Sequence, residues 1–205
     1  GVPTSSRTAE LAASLGVPIA TLDEVKWLDL TIDGADEFDP NLALIKGGGA
    51  ALLQEKIVAT ASDQMIVIAD AAKEVTQLGA FPLPVEVIPF GWQTTKALIE
   101  ETLVSLDVLN RDCTLRMNGD RPLVTDEANF IIDLHLKRIG NPRQLALVLN
   151  QIPGVVENGL FIDICDIVVI GHGDGRVTVR DINQGTEGED YVEFAPTDNI
   201  FADIE

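Results

Sequence analysis

Five consecutive apolar residues, Met65-Ile66-Val67-Ile68-Ala69, lie between Asp63-Gln64 and Asp70. A continuous run of this kind is the pattern of an inner strand of a parallel sheet, covered on both faces. The surrounding chain alternates in the way such a sheet needs. Thr8 to Leu15 reads as a short helix that Gly16 ends and Pro18 would not continue. Leu28 to Ile32 alternates apolar and polar residues as a strand does, and Asp39-Pro40-Asn41 is a turn. Leu42 to Ile45 reads as a strand ending at Lys46, and Ala50 to Ala61 as a mostly apolar, buried helix. Strands alternating with helices predict an α/β fold with a parallel sheet.

The pattern changes at Phe81-Pro82-Leu83-Pro84. Beyond it come a strand (85–88), a helix (94–106), a strand (113–117), the turn Asn118-Gly119-Asp120, and a strand (129–136). A helix opened by Asn141-Pro142 runs to Gln151, and a strand (155–161) follows. Asparagine caps a helix and proline suits its first turn. The order β-α-β-β-α-β is that of a ferredoxin-like α+β unit. Residues 167–170 and 176–180 then predict a hairpin across Gly171-His172-Gly173-Asp174-Gly175 that returns to the first sheet. The expected division is residues 1–80 with 166–205 as one domain and 81–165 as the smaller one.

Lys+Arg 14 against Asp+Glu 33 gives a net charge of -19. That disfavours nucleic acid or an anionic membrane surface as partner, and an anionic substrate would need a local basic site. From Asp181 the chain has eight acids and no Lys or Arg, which reads as a solvated acidic tail. No run approaches the roughly 18 apolar residues of a membrane span. The two cysteines, Cys113 and Cys165, lack CxxC spacing, and no His/Cys cluster suggests a metal. A reduced, cytoplasmic protein is the economical reading.

The chemistry concentrates in 23 residues: Asp33-Gly34-Ala35-Asp36, then Lys46-Gly47-Gly48-Gly49, then Glu55. In open α/β sheets ligands bind beyond the carboxyl ends of the strands. Asp33 and Asp36 follow one strand, Lys46 the next, and Lys73 lies just beyond Asp70 at the end of the apolar run. Glycines let backbone approach a ligand, and a helix N-terminus favours anions. Glu55, with Ala51, Leu52, Val58 and Ala59 as helical neighbours, would be desolvated and so shifted towards the range of a general base. Each feature has a plainer alternative. Glu55 could reach solvent or pair with a lysine, the aspartates could be turn and cap residues, and the glycines a tight turn. The hydroxyls of Thr4-Ser5-Ser6-Arg7-Thr8 could cap the first helix or bond a sugar or phosphate oxygen. The Gly171–Gly175 segment resembles a phosphate loop, yet no helix follows, so a hairpin turn is preferred. His172 reads as a turn residue and His135 as a strand residue, neither of them a catalyst.

Taken together, GVPTSSRT, DLTIDGADEFDPNLALIKGGGAALLQEKIVA, IADAAKEV, FPLPVEVIPF and IPGVVENGLF resemble the type A ribose-5-phosphate isomerase family across nearly the whole chain. The resemblance implies interconversion of D-ribose 5-phosphate and D-ribulose 5-phosphate in the non-oxidative pentose phosphate pathway. It implies no metal and no organic cofactor, a Rossmann-like domain carrying the smaller one, and a homodimer or in some members a tetramer. Carried over residue by residue, Glu55 is the proton acceptor working through an enediolate. Lys46 with Gly47, Gly48 and Gly49 binds substrate and stabilises negative charge on oxygen. Asp33, Gly34, Ala35 and Asp36 form a second substrate-binding stretch. Within it Asp33 engages sugar hydroxyls and helps open the ring, and Asp36 orients Lys46 or a hydroxyl. Lys73 is a further substrate-binding lysine. The family's Gly-Thr-Gly-Ser-Thr phosphate loop has no counterpart here, and the expectation is that a natural N-terminal segment with a first strand is missing. A sugar-phosphate-binding module without catalysis is the alternative, and acyl or CoA transfer through a glutamate nucleophile a third. The sensor needs no buried base, and the transferase needs a nucleotide surface for which no basic stretch is visible.

Overall fold

The computed structural model describes residues 1–192. In chain order its elements are α1 (Ser6–Ser14), α2 (Leu22–Val25), β1 (Thr31–Asp33), β2 (Glu37–Phe38), β3 (Leu44–Ile45), α3 (Leu52–Thr60), β4 (Met65–Asp70), β5 (Leu83–Val87) and α4 (Trp92–Leu103). The chain continues through β6 (Asp112–Leu115), β7 (Met117–Asn118), β8 (Arg121–Pro122), β9 (Phe130–His135), α5 (Pro142–Leu149), β10 (Val155–Asn158) and β11 (Leu160–Phe161). It closes with β12 (Ile167–Gly171), β13 (Arg176–Asp181) and β14 (Thr186–Tyr191). Ser5 caps α1 by accepting from Thr8 N–H, and Asn141 caps α5 by accepting from Gln144 N–H, with Pro142 in the first turn.

Two sheets carry the architecture. The larger has strand order β1-β4-β12-β13-β14, with β4 parallel to both β1 and β12. The apolar run is an interior parallel strand but is covered on one face only: Val67 lies in a core with Phe38, Leu44, Phe161, Val168 and Ile170, while Ile68 on the other face is 56% exposed. The second sheet is antiparallel with order β10-β5-β9-β6. Helices α4 and α5 each cross over between two of its strands, which is the ferredoxin-like arrangement. Its core joins Val85, Val87, Ile132 and Leu134 to Ile99, Leu103, Leu145 and Leu149 of the helices. The β12–β13 hairpin returns to the large sheet, and Gly171–Gly175 is its turn. His172 accepts or donates there through Nε2 to Thr178 Oγ1, and His135 sits in β9.

Three further expectations need correction. The strand before Lys46 does not join the parallel sheet: β3 pairs antiparallel with β2 and with β11 in a separate three-stranded sheet. The single strand expected over 155–161 is two, β10 in the small antiparallel sheet and β11 on β3, parted at Gly159. A Cβ at Gly159 would lie 2.3 Å from Lys46 O, so the chain passes there only as glycine. The acidic segment after Asp181 is not solvated tail throughout. Residues 186–191 form β14 on β13, where Arg180 meets Glu187 at 2.8 Å and Arg176 meets Glu189 at 2.9 Å. The remainder of that segment, 193–205, lies outside the described residues.

One buried carboxyl belongs to the fold. Glu86 in β5 is 0% exposed; its Oε1 accepts from Thr125 Oγ1 at 2.9 Å and Asn129 Nδ2 at 3.0 Å, while Oε2 has no partner. Burial pushes its pKa up, against the two hydrogen bonds. A carboxyl whose folded pKa is raised stabilises fully below its unfolded pKa, and that contribution is lost as pH rises through the folded value. The melting temperature of Glu86→Gln relative to wild type is therefore expected to climb from pH 5 to pH 8.5, as read by thermal melts. A pH-independent difference would mean Glu86 does not titrate differently in the fold.

Candidate active site

The DGAD segment leaves β1 at its carboxyl end, and the KGGG segment joins β3 to α3. Lys46 is 3% exposed, and its ammonium is the centre of the site. It donates to Gly34 O at 2.6 Å and lies 3.0 Å from Asp33 Oδ2 and 3.2 Å from Glu55 Oε2. The Phe161 ring lies 5.5 Å away. Asp33 Oδ2 and Glu55 Oε2 are buried, close enough to the ammonium for ion pairing, but accept no aligned hydrogen bond. One cation shared between two carboxylates leaves the cluster with an excess negative charge.

Glu55 is 15% exposed at its side chain. Burial raises its pKa most, Lys46 opposes that, and Asp33 and Asp36 add to the rise. A carboxylate so placed is a stronger base than an exposed one, with the lysine opposing the rise. The next residue, Lys56, fixes the helix. Its ammonium donates to Glu157 Oε1 at 3.0 Å, Asn158 O at 2.6 Å and Leu160 O at 2.8 Å, which ties α3 to β10 and β11.

Asp36 does not touch Lys46, contrary to one of its two expected roles; Gly34 O, Asp33 and Glu55 hold the lysine instead. Asp36 Oδ2 accepts from Gly48 N–H at 2.8 Å and so shapes the glycine loop. A Cβ at Gly48 would lie 2.6 Å from Asp36 Oδ1, and Gly47 has φ +104 with a Cβ position 2.8 Å from Leu52 Cδ2. Neither position accommodates another residue without movement. Lys73 ends a 3-10 turn, Ala71–Lys73, after β4. It lines a cleft of about 300 Å³ together with Asp33, Gly34, Ala35, Asp36, Lys46, Gly47, Gly48, Gly49 and Glu55. The residues singled out in the sequence thus surround one space.

A second cleft of about 540 Å³ shares Asp33, Gly49 and Glu55 with the first and extends to Thr4–Thr8 and to Val124–Asp126. Ser5 caps α1, and Ser6 donates through N–H and Oγ to Asp126 at 2.7 and 3.0 Å, so those hydroxyls are engaged within the protein. Sequence reasoning missed the loop at 123–129, in which Asp126 holds Ser6 and Glu127 meets Gln54 of α3. It also missed Arg116, which donates to Gly47 O and Gly48 O. Arg116 lies 68 and 69 residues from the glycines it meets, and the 123–129 loop lies 120 residues from Ser6 and 73 from Gln54, so no local pattern marks these contacts. In a chain with 14 basic residues, an arginine at the end of a strand was the available signal. Among the described residues no group of three or more His, Cys, Asp or Glu is arranged to hold a metal ion.

The family model of ribose 5-phosphate isomerase A (phosphoriboisomerase A) matches residues 1–175. Ribose-5-phosphate isomerase A of Ruegeria pomeroyi is 75% identical over 204 residues, covering 100% of this chain and 78% of that protein. The same enzyme of Cereibacter sphaeroides is 72% identical, again over 100% of this chain and 78% of its own length. A solved D-ribose-5-phosphate isomerase in complex with phospho-erythronic acid superposes with a TM-score of 0.80 and 46% identity, covering 88% of this chain and 77% of that one. The ribose 5-phosphate isomerase of Methanocaldococcus jannaschii gives a TM-score of 0.79 at 37% identity, with 88% and 77% covered. Sequence and fold agree along the chain's length: it belongs to the ribose 5-phosphate isomerase A family.

Proposed function

We propose that Glu55 is the base that isomerises D-ribose 5-phosphate to D-ribulose 5-phosphate, the reaction of the family to which the chain belongs. The observation that supports this is the pair of buried carboxylate oxygens, Asp33 Oδ2 and Glu55 Oε2, at 3.0 and 3.2 Å from the Lys46 ammonium. A binding module has no use for a desolvated carboxylate in that position. In the open-chain aldose Glu55 takes the C2 proton, the C1 carbonyl oxygen gains the negative charge, and an enediolate forms. The O2 hydroxyl proton passes to O1, and Glu55 returns its proton to C1. Lys46 and Gly49 N–H serve the charge that develops on oxygen, where preorganised donors act most strongly, while Gly48 N–H is held by Asp36. Asp33 accepts from sugar hydroxyls and assists ring opening. Gly34, Ala35 and Asp36 shape the wall beside it, and Lys73 supplies a cation at the rim for a phosphate or sugar oxygen.

The test is ketose formation from D-ribose 5-phosphate in D₂O. Proton transfer through Glu55 places solvent deuterium at C1 of the ketose, whereas a direct hydride shift leaves it unlabelled. Because the pKa of Glu55 is raised, the acid limb of kcat/KM is expected above the roughly 4.3 of an ordinary glutamate. Activity falls as pH drops through that value. A limb at or below the ordinary value would assign it to another group.

The proposed organisation is residues 1–80 with 166–205 as the catalytic domain and 81–165 as the smaller domain. The antiparallel sheet and its helices fall inside the second range. The protein is proposed to work as a homodimer in the cytoplasm. Cys113 and Cys165 are free and buried, which suits a reducing compartment. Light scattering tests the dimer. No described helix is long and apolar enough to cross a membrane.

A further inference from the structure

We propose that Arg116 and Asp133 form a positioning pair that sets the peptide planes of the glycine loop and so aims Gly49 N–H into the active site. This rests on the reading of that loop as a donor to the developing oxyanion. Arg116 follows β6, and its side chain is 14% exposed. Asp133 lies on the neighbouring β9, opposite Thr114 and so diagonal to Arg116 on the same face. The guanidinium grips the carboxylate in a fork, Nε to Oδ2 at 2.9 Å and Nη2 to Oδ1 at 2.5 Å. That leaves Nη1 pointing away from Asp133, and it donates to Gly47 O at 2.8 Å and Gly48 O at 3.1 Å. The fork fixes the direction in which Nη1 can reach, which a lysine ammonium on a flexible stem would not do.

The consequence for the loop follows from the planarity of the peptide group. In a trans peptide the carbonyl of one residue and the N–H of the next point in opposite directions. The Gly47–Gly48 peptide displays this: its carbonyl goes to Arg116 and its N–H to Asp36 Oδ2 at 2.8 Å. The Gly48–Gly49 peptide is held by the same arginine through its carbonyl, so Gly49 N–H is turned to the opposite side. Among the described residues it has no acceptor. Gly49 borders both clefts that contain Asp33 and Glu55. Glycine peptides flip readily because φ is little restricted on either side. Unless both carbonyls were captured, the amide would sample the opposite orientation. Arg116 thus acts on the reaction through the loop, from the residue that follows β6 of the antiparallel sheet.

The test compares wild type with Arg116→Met, Arg116→Lys, Asp133→Asn and Gly49→Pro. It uses steady-state kinetics on D-ribose 5-phosphate, inhibition by phospho-erythronic acid, and thermal melting. Arg116→Met is expected to lower kcat about 100-fold, the loss typical of one oxyanion donor, with KM within about threefold. Inhibition by phospho-erythronic acid weakens in parallel. Arg116→Lys restores charge but not the fork and stays close to Arg116→Met. Asp133→Asn loses part of kcat with Arg116 intact. Should Arg116→Met not fold, the lysine and asparagine variants carry the same expectation. Wild-type kcat in Arg116→Lys and Asp133→Asn, or a loss confined to KM, overturns the proposal. Gly49→Pro deletes the amide itself. If it loses kcat while the Arg116 variants do not, the donor stands and the positioning pair falls. If Gly49→Pro keeps kcat, the donor reading falls and the proposal with it.

Discussion

Replacing Glu55 by Gln is expected to lower kcat about 10³-fold while KM stays within about threefold, because general-base catalysis contributes about 10²–10⁴. In free energy that is about 4 kcal/mol of transition-state stabilisation. The fold should tolerate the change. Lys46 is shared between Asp33 and Glu55, and the variant leaves one cation facing one carboxylate instead of two. No buried charge is orphaned, so the melting temperature holds or rises. Two readouts separate the base from a residue that only orders the site. Exchange of the C2 hydrogen with solvent deuterium must fall with turnover, and affinity for D-ribose 5-phosphate must not collapse. Retained C2 exchange in a variant that forms no ketose would mean that another group removes the proton.

The part of this site visible in the sequence is the part built from short-range geometry. Asp33 to Asp36 follow a strand end, Gly47 to Gly49 precede a helix, and Glu55 sits one turn inside it, so a single stretch carries the acid, the cation and the base. What the sequence did not show depends on pairing across long separations. A two-residue strand such as Leu44–Ile45 is apolar whichever sheet it joins. Its partner Leu160–Phe161 comes from over a hundred residues later, and only the tight passage at Gly159 allows that approach. Thr186–Tyr191 is exposed at every position and has no apolar alternation, so it reads as tail. It is a strand because β13 offers a free edge and two arginines placed to meet its glutamates. Arg116 was hidden for the same reason, since its targets are main-chain carbonyls that no residue pattern encodes.

Lys46→Met is expected to damage binding, chemistry and stability together. The lysine is nearly fully buried and faces two carboxylates, so its removal leaves both without compensation in a desolvated site. Breaking a buried pair in this way costs about 3–5 kcal/mol. The low end applies here, since Asp33 keeps 20% side-chain exposure. Glu55 responds as well. Lys46 is the main influence holding its pKa down, so without it burial and Asp33 drive the value further up. The acid limb of kcat/KM should move to higher pH, and the base becomes protonated where the wild type is active. Loss of the cation also removes charge stabilisation from the enediolate. kcat should fall about 10³-fold, the upper range for one electrostatic donor, with KM raised. Adding Asp33→Asn tests how these effects are linked. The double variant removes one of the two stranded charges, so stability should recover in part and the acid limb should return towards lower pH. Turnover should stay low, because neither substitution restores a cation beside the developing oxyanion. A double variant that regained wild-type kcat would show that Lys46 serves only to neutralise Asp33.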